Sequence, residues 1–187
     1  AGQGLIVHMP GAASASIVDQ TPDHLVFEWE GGPVTLSLTG SFQRDNALTA
    51  LCVMRLLEEK GYGFQRDKAL AALAKIRMPC RQELIRRSPL LMLDGAHNPD
   101  GIRALVRTLA EIPEEDRAPL TLLWGMLRDK DIRTGAALIA PFAAQAVCCT
   151  PKNPRALPGK ELAAAFREAG VEAVCEEKPE RAFSLAK

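Results

Sequence analysis

The 187 residues suffice for one large domain or two small ones, and a hydrophobic share of 47% is that of a chain that buries a core. Lys plus Arg number 23 and Asp plus Glu also number 23, so the net positive field that non-specific nucleic-acid binding needs is missing. No apolar stretch approaches the roughly 20 residues of a membrane span and no basic start precedes an apolar signal core, so the sequence predicts a soluble, cytoplasmic protein with neither nucleic acid nor membrane as partner.

The five cysteines, Cys52, Cys80, Cys148, Cys149 and Cys175, include no C-x-x-C pair. Their odd number argues for reduced, mostly buried thiols rather than a secreted disulfide framework. His8, His24 and His97 lie far apart, which gives a zinc site no local support.

Residues 1–39 carry short extended segments, "HLVFEWE" and "PVTLSLT", separated by Gly31 and Gly32. Leu25, Phe27 and Trp29 alternating with Val26, Glu28 and Glu30 predict a hairpin with one buried face. From Asp45 the period becomes helical, with Ala47, Ala50, Leu51, Met54 and Leu57 on one stripe that ends at Gly61. A second helix is expected over about 66–75, with Leu70 and Leu73 inward. "RMPCRQE", residues 77–83, holds the proline that stops it and marks the boundary between a 1–78 unit and a 79–187 unit.

Beyond that point strands and helices alternate. Strands are expected near 82–86 and 90–94, then a helix over 99–111 and "PLTLLWG" as strand. A helix over 132–140, the strand "QAVCCT", a helix over 158–169 and the strand "VEAVCEE" follow. Such alternation predicts an α/β fold: a Rossmann-like, mostly parallel sheet with helices on both faces, preceded by a partial α/β segment with a hairpin and two helices.

One stretch concentrates chemistry. In "LLMLDGAHNPDGIRALVRTL", residues 90–109, the apolar run reads as a central parallel strand buried on both faces. Asp94 then falls at its carboxyl end, the edge where ligands of open α/β sheets gather. Gly95 permits the turn, Asn98 is a good N-cap, and Pro99 suits the first helical position. The helix start therefore offers backbone N–H groups and partial positive charge beside Asp94 and His97, an environment that attracts phosphate and other anions. The competing reading is local: Asp94 orders the turn and His97 packs or faces solvent.

"DGAHNP" after one strand, "GMLRDKD" after the next and "TPKNPRALP" after the third together resemble the C-terminal domain of the folylpolyglutamate synthase family. Many bacterial members also act as dihydrofolate synthase, and the family sits in the Mur ligase superfamily. "GSFQRDNALTAL" resembles the G-x-H-Q-x-x-N-A segment of the family's central ATPase domain, and "RMPCRQE" its interdomain P-G-R segment. The likeness runs in the family's order from about Thr39 onward.

The resemblance implies an ATP-dependent ligase that uses Mg²⁺. ATP phosphorylates a folate or dihydropteroate carboxylate, and the amine of L-glutamate displaces the phosphate. By position, Asn46 would hydrogen-bond adenine, Arg81 would contact ATP phosphates, and Asp94 would accept from ribose hydroxyls. His97 would lie near the reacting group, and Lys130 would contact a substrate carboxylate. Each has a plainer alternative: a cap-like Asn46, a solvated Arg81, a charged loop around Lys130 in which Asp131 only caps a helix. Arg155 is a weaker candidate still.

The family's P-loop is absent, since "LPGKE" at 157–161 lacks the upstream glycine. The chain is therefore expected to be a piece of a longer, monomeric enzyme whose Mg²⁺ ligands lie mainly upstream, and to be inactive alone. Phe42 stands where many members have His, and Cys80 where they have Gly. Two alternatives compete: a Mur-type ligase of peptidoglycan precursors, disfavoured because those members more often carry a tyrosine or similar residue before the Ala-His pair, and a Rossmann-like module that binds without catalysis.

Overall fold

A computed structural model describes residues 15–21, 23–63, 65–113 and 120–186. The chain divides into two compact units, residues 1–93 and 94–187. The division lies beyond residue 78, the end of the first unit by sequence.

In the first unit, β1 (Ile17–Thr21), β2 (His24–Trp29) and β3 (Gly32–Leu36) form an antiparallel sheet in that order. Trp29 pairs with Gly32, so Glu30 and Gly31 alone make the turn. Their φ values of 48° and 79° match the double left-handed geometry that two-residue hairpins favour. Glu30 has no glycine freedom to ease this conformation, but its carboxylate is held by Arg55 at 3.1 Å and Arg66 at 3.0 Å. The Arg66 guanidinium also stacks 4.7 Å above the Trp29 ring.

The alternation read in β2 holds: Leu25, Phe27 and Trp29 are buried together with Val34 and Leu36 of β3. Over them lies α1 (Phe42–Glu59), and Leu70 and Leu73 of α2 (Arg66–Leu73) close the cluster. The expected stripe of α1 is corrected. The helix starts at Phe42 and buries Gln43, Ala47, Leu48 and Leu51, while Ala50 and Leu57 face solvent. A stripe drawn from apolar residues alone omits a buried glutamine.

A second correction concerns the apolar run at 90–93. It yields only β5 (Leu91–Leu93), antiparallel to β4 (Glu83–Arg86), with Leu93 42% exposed. Four residues separate the two strands, and a parallel crossover needs a dozen or more. The strand is therefore a hairpin arm, not a parallel strand buried on both faces.

The second unit is the expected α/β fold. A parallel sheet, in the order β6 (Leu120–Trp124), β7 (Ala143–Cys148), β8 (Glu172–Cys175), is flanked by α3 (Pro99–Glu111), α4 (Ile132–Ile139), α5 (Gly159–Glu168) and α6 (Pro179–Leu185). A single 3₁₀ turn, Ala140–Phe142, leads from α4 into β7. Register aligns Trp124, Cys148 and Cys175 across the three strands. Trp124 meets Phe166 of α5 with ring centroids 5.4 Å apart, so α5 covers this face. Among the described residues no helix is long and apolar enough to cross a membrane.

Candidate functional site

The strand-to-helix transition at 93–99 forms as the residue types dictate. Asn98 is extended at φ −135° and ψ 162°, its Oδ1 accepts the Gly101 N–H at 2.8 Å, and Pro99 takes the first helical position. Asp94, half-buried, accepts the Ala96 N–H at 2.7 Å through Oδ1. The turn-ordering role is thus real for one carboxylate oxygen. His97 is exposed, with Nδ1 2.9 Å from the Gly95 carbonyl oxygen. A carbonyl only accepts, so Nδ1 carries the proton and Nε2 is the ring nitrogen left for other partners.

The loop after β6 is built the same way. Asp131 caps α4 by accepting the Thr134 N–H at 3.1 Å, and hydrogen bonds from Thr134 hold its carboxyl below the usual range. Lys130 pairs with Asp129 at 3.3 Å, and Arg155 approaches the same carboxylate at 3.9 Å. The Lys130 hydrogen bond, aided by both cations, lowers the Asp129 pKa. Three backbone contacts zip this loop to the one after β7: Arg128 N–H to the Arg155 carbonyl at 2.8 Å, Leu157 N–H to the Met126 carbonyl at 2.9 Å, and a bridge between Leu127 and Ala156. Lys130 and Arg155 therefore share one carboxylate on two strapped loops.

The Asp94–His97 turn and the Lys130 loop each lead into a helix, and these helices touch. A Cβ on Gly135, the fourth residue of α4, would fall 2.8 Å from Cδ1 of Ile102, the fourth residue of α3. The first turns of the two helices are therefore in contact.

Asn46 and Arg81 belong to the first unit. Asn46 lies one turn inside α1 rather than at a cap position, is exposed, and donates Nδ2 to Gln43 Oε1 at 2.9 Å. Arg81 is exposed in a tight turn between Cys80 at φ 56° and Gln82 at φ 50°. Cys80 thus occupies the left-handed conformation that glycine adopts without strain. Arg81 lines a cavity of about 460 Å³ with Lys75, Arg77, Ser37 and Thr39. The two acids on its wall are engaged: Asp23 with Arg87, and Glu83 by the Cys80 N–H at 3.0 Å.

The sequence pattern of the family described as "Mur ligase, glutamate ligase domain" matches residues 80–187. The chain belongs to this Mur ligase family. A folylpolyglutamate synthase from Lacticaseibacillus casei is 33% identical over 141 residues, which are 74% of this chain and 30% of that relative. The Mycobacterium tuberculosis folylpolyglutamate synthase complexed with ADP superposes with a TM-score of 0.76 at 26% identity, covering 94% of this chain and 40% of that one. A bifunctional folylpolyglutamate synthase/dihydrofolate synthase from Yersinia pestis, complexed with AMPPNP and Mn ion, gives 0.65 at 26% identity, over 87% and 37%. The Mur ligase chain thus spans well under half the length of these proteins.

Three features escaped the sequence reading of this Mur ligase chain. Lys75 and Arg77 join Arg81 in one cavity, which a cluster of cations around Pro79 could have signalled. Asp129 links Lys130 to Arg155, a contact between segments 26 residues apart that no local pattern encodes. Gln43 lies inside the stretch "GSFQRDNALTAL" and is buried, a place glutamine seldom takes and apolar periodicity does not signal.

Proposed function

We propose that this chain is the glutamate-side part of an ATP-dependent ligase that adds L-glutamate to a folate or dihydropteroate carboxylate through an acyl phosphate. The observation that supports the reading is the contact between the first turns of α3 and α4, the helices that follow Asp94 and His97 and follow Lys130, in a chain of the Mur ligase family. The ADP named with the M. tuberculosis relative supports nucleotide use.

The chain's own groups suit a polyanionic ligand. Arg81, with Lys75 and Arg77 in the same cavity, offers cations to phosphate. Asn46 carries an exposed amide with the donor and acceptor an adenine edge needs. The Asp94 carboxylate suits ribose hydroxyls, and His97 Nε2 suits the acyl phosphate region. Lys130, paired with Asp129, would meet a substrate carboxylate. When bound, ATP supplies the phosphoryl group that activates the carboxylate.

Manganese is named with the Y. pestis relative, and Mg²⁺ is our assignment for this enzyme. Among the described residues no cluster of three His, Cys, Asp or Glu side chains could hold a metal ion. A monomeric enzyme working in the cytoplasm completes the proposal, and the five free cysteines support the compartment.

The test is phosphate release by the protein expressed together with whatever precedes residue 1 in its gene. Turnover is expected with ATP, L-glutamate and either dihydropteroate or a reduced folate, and none from residues 1–187 alone. Turnover only with a UDP-muramoyl acceptor would reject the folate assignment.

A further inference from the structure

Three short contacts at the β1–β2 turn need more protons than a neutral imidazole supplies. His24 Nε2 lies 2.8 Å from Asp19 Oδ2, and Nδ1 lies 2.7 Å from Thr21 Oγ1. The Thr21 hydroxyl in turn donates to Asp23 Oδ1 at 2.6 Å. Each such bond uses one proton, and a neutral ring with one hydroxyl brings two protons to three contacts; the imidazolium ion brings the third. With the ring neutral, Nε2–H donates to Asp19 and Nδ1 offers a lone pair, so the single Thr21 proton goes either to Nδ1 or to Asp23. Nδ1 also faces Asp23 Oδ1 at 3.2 Å, an attractive contact only when Nδ1 carries a proton.

Through its other oxygen Asp23 holds a second element. Arg87, in the turn between β4 and β5, lies 2.5 Å from Asp23 Oδ2. Asp23 thus joins the β1–β2 turn to the β4–β5 hairpin, and it shares a cavity wall with Glu83 and Leu84 of β4. The Thr21 hydroxyl and then Arg87 hold the Asp23 carboxyl well below the usual carboxylate range, so it stays ionised while His24 titrates.

We propose that Asp23 is a proton-gated clasp: proton uptake by His24 draws its carboxylate to the β1–β2 turn and slackens its hold on Arg87, and so on the β4–β5 hairpin. Two effects act in the same direction. The imidazolium and the guanidinium flank one carboxylate and repel each other. Donors on Oδ1 also withdraw charge from the oxygen that Arg87 meets. Among the other charged groups near this cluster, Asp19 on β1 is engaged by Nε2 and Glu83 by the Cys80 N–H, while Lys75, Arg77 and Arg81 line the same cavity as Asp23. The cluster is open to solvent, which limits the competition to a factor of about two.

The experiment pairs hydrogen exchange of residues 83–93 with an NMR titration of His24, both on the full-length protein across the range in which histidine titrates. Exchange rates are corrected for the intrinsic effect of pH on amides. Protection of the hairpin is expected to rise about twofold as the pH climbs through the His24 midpoint, and this step is expected to vanish in His24→Gln. Coupling is reciprocal, so Arg87→Gln is expected to about double the proton affinity of His24. Thr21→Val, which takes the acceptor from Nδ1–H, is expected to lower that affinity and to move the hairpin step to lower pH. A histidine that only stabilised its own turn would not make a hairpin on another element follow its midpoint. Absence of the step in the wild type, its persistence in His24→Gln, or a His24 midpoint that Arg87→Gln leaves in place overturns the proposal. Wild type and His24→Gln carry the test by themselves should Arg87→Gln not fold.

Discussion

Gly135 and Ile102 meet so closely that no side chain fits between them: a Cβ on Gly135 would lie 2.8 Å from Ile102 Cδ1. This contact packs the first turn of α4 against the first turn of α3, the helices that follow the loops carrying Lys130 and Asp94 with His97. Gly135→Ala gains about 1 kcal/mol of helix propensity but overpacks a fully buried isoleucine, at a cost of about 1–3 kcal/mol. A net loss of about 1 kcal/mol is expected in denaturant unfolding followed by Trp124 fluorescence. Ile102→Val is expected to recover part of it, and strict additivity of the two changes would show that the helices are not in register through this pair.

Protonation should matter where β1 turns into β2. His24 lies between two carboxylates, with Nε2 2.8 Å from Asp19 and Nδ1 3.2 Å from Asp23, and with the Thr21 hydroxyl at 2.7 Å. Arg87 holds the far oxygen of Asp23 at 2.5 Å. The Asp19 hydrogen bond raises the His24 pKa above 6.5, partial burial opposes it, and Asp23 adds to the rise. Because the folded value is raised, the stabilisation is complete below about pH 6.5 and is lost as the pH climbs through the folded pKa. The cluster is solvated, so the loss is about 0.5 kcal/mol. An NMR titration of His24 should place its midpoint above 6.5, and Asp19→Asn should bring it down; a midpoint at or below 6.5 contradicts the pairing.

Thiol reactivity should separate the cysteines by burial. Cys148 is fully buried at the carboxyl end of β7, where burial, with Cys175 and Cys149 nearby, pushes its thiol up to about 12. Cys175 rises to about 11, by burial and by its bond to Glu177. Only thiolates attack disulfide reagents, so both should resist modification at pH 8 until the second unit unfolds. Cys80 is exposed and should be labelled first. Mass spectrometry after brief treatment with an aromatic disulfide gives the order, and early modification of Cys148 would show that β7 opens readily.

Where a single segment's chemistry decided the outcome, the sequence was readable. The Asn98–Pro99 start of α3, the Asp131 cap and the Leu25, Phe27 and Trp29 face follow from capping and period-two alternation alone. The apolar content of β5 suggests a buried parallel strand, but its connection decides otherwise: four residues between strands require a hairpin. The α1 stripe failed at Gln43, whose burial depends on a partner three residues away. The strap between the Lys130 and Arg155 loops and the Gly135–Ile102 contact join segments about 30 residues apart, and such contacts arise only once the sheet has formed. Residues 1–14 and residue 22 of the expected extended region lie outside the described residues.

Asp94 separates local structure from the proposed ligand chemistry, because an amide in its place can keep the local bond without the charge. Its Oδ1 accepts the Ala96 N–H at 2.7 Å, and losing that bond costs about 1 kcal/mol. Asp94→Asn keeps an oxygen for Ala96 while removing the charge and replacing the second acceptor with a donor; Asp94→Ala removes both. If Asp94 receives ribose hydroxyls, both variants should weaken ADP binding by the full-length protein, each by about tenfold, the worth of a hydrogen bond to a charged group. Asp94→Ala should lower the melting temperature more than Asp94→Asn does. If Asp94 serves the turn alone, Asp94→Asn should bind ADP as the wild type does, and the whole effect of Asp94→Ala should follow its loss of stability. Calorimetry and thermal melting on the same two samples decide between these outcomes. The ranking of the two variants carries the answer, whatever the absolute affinity.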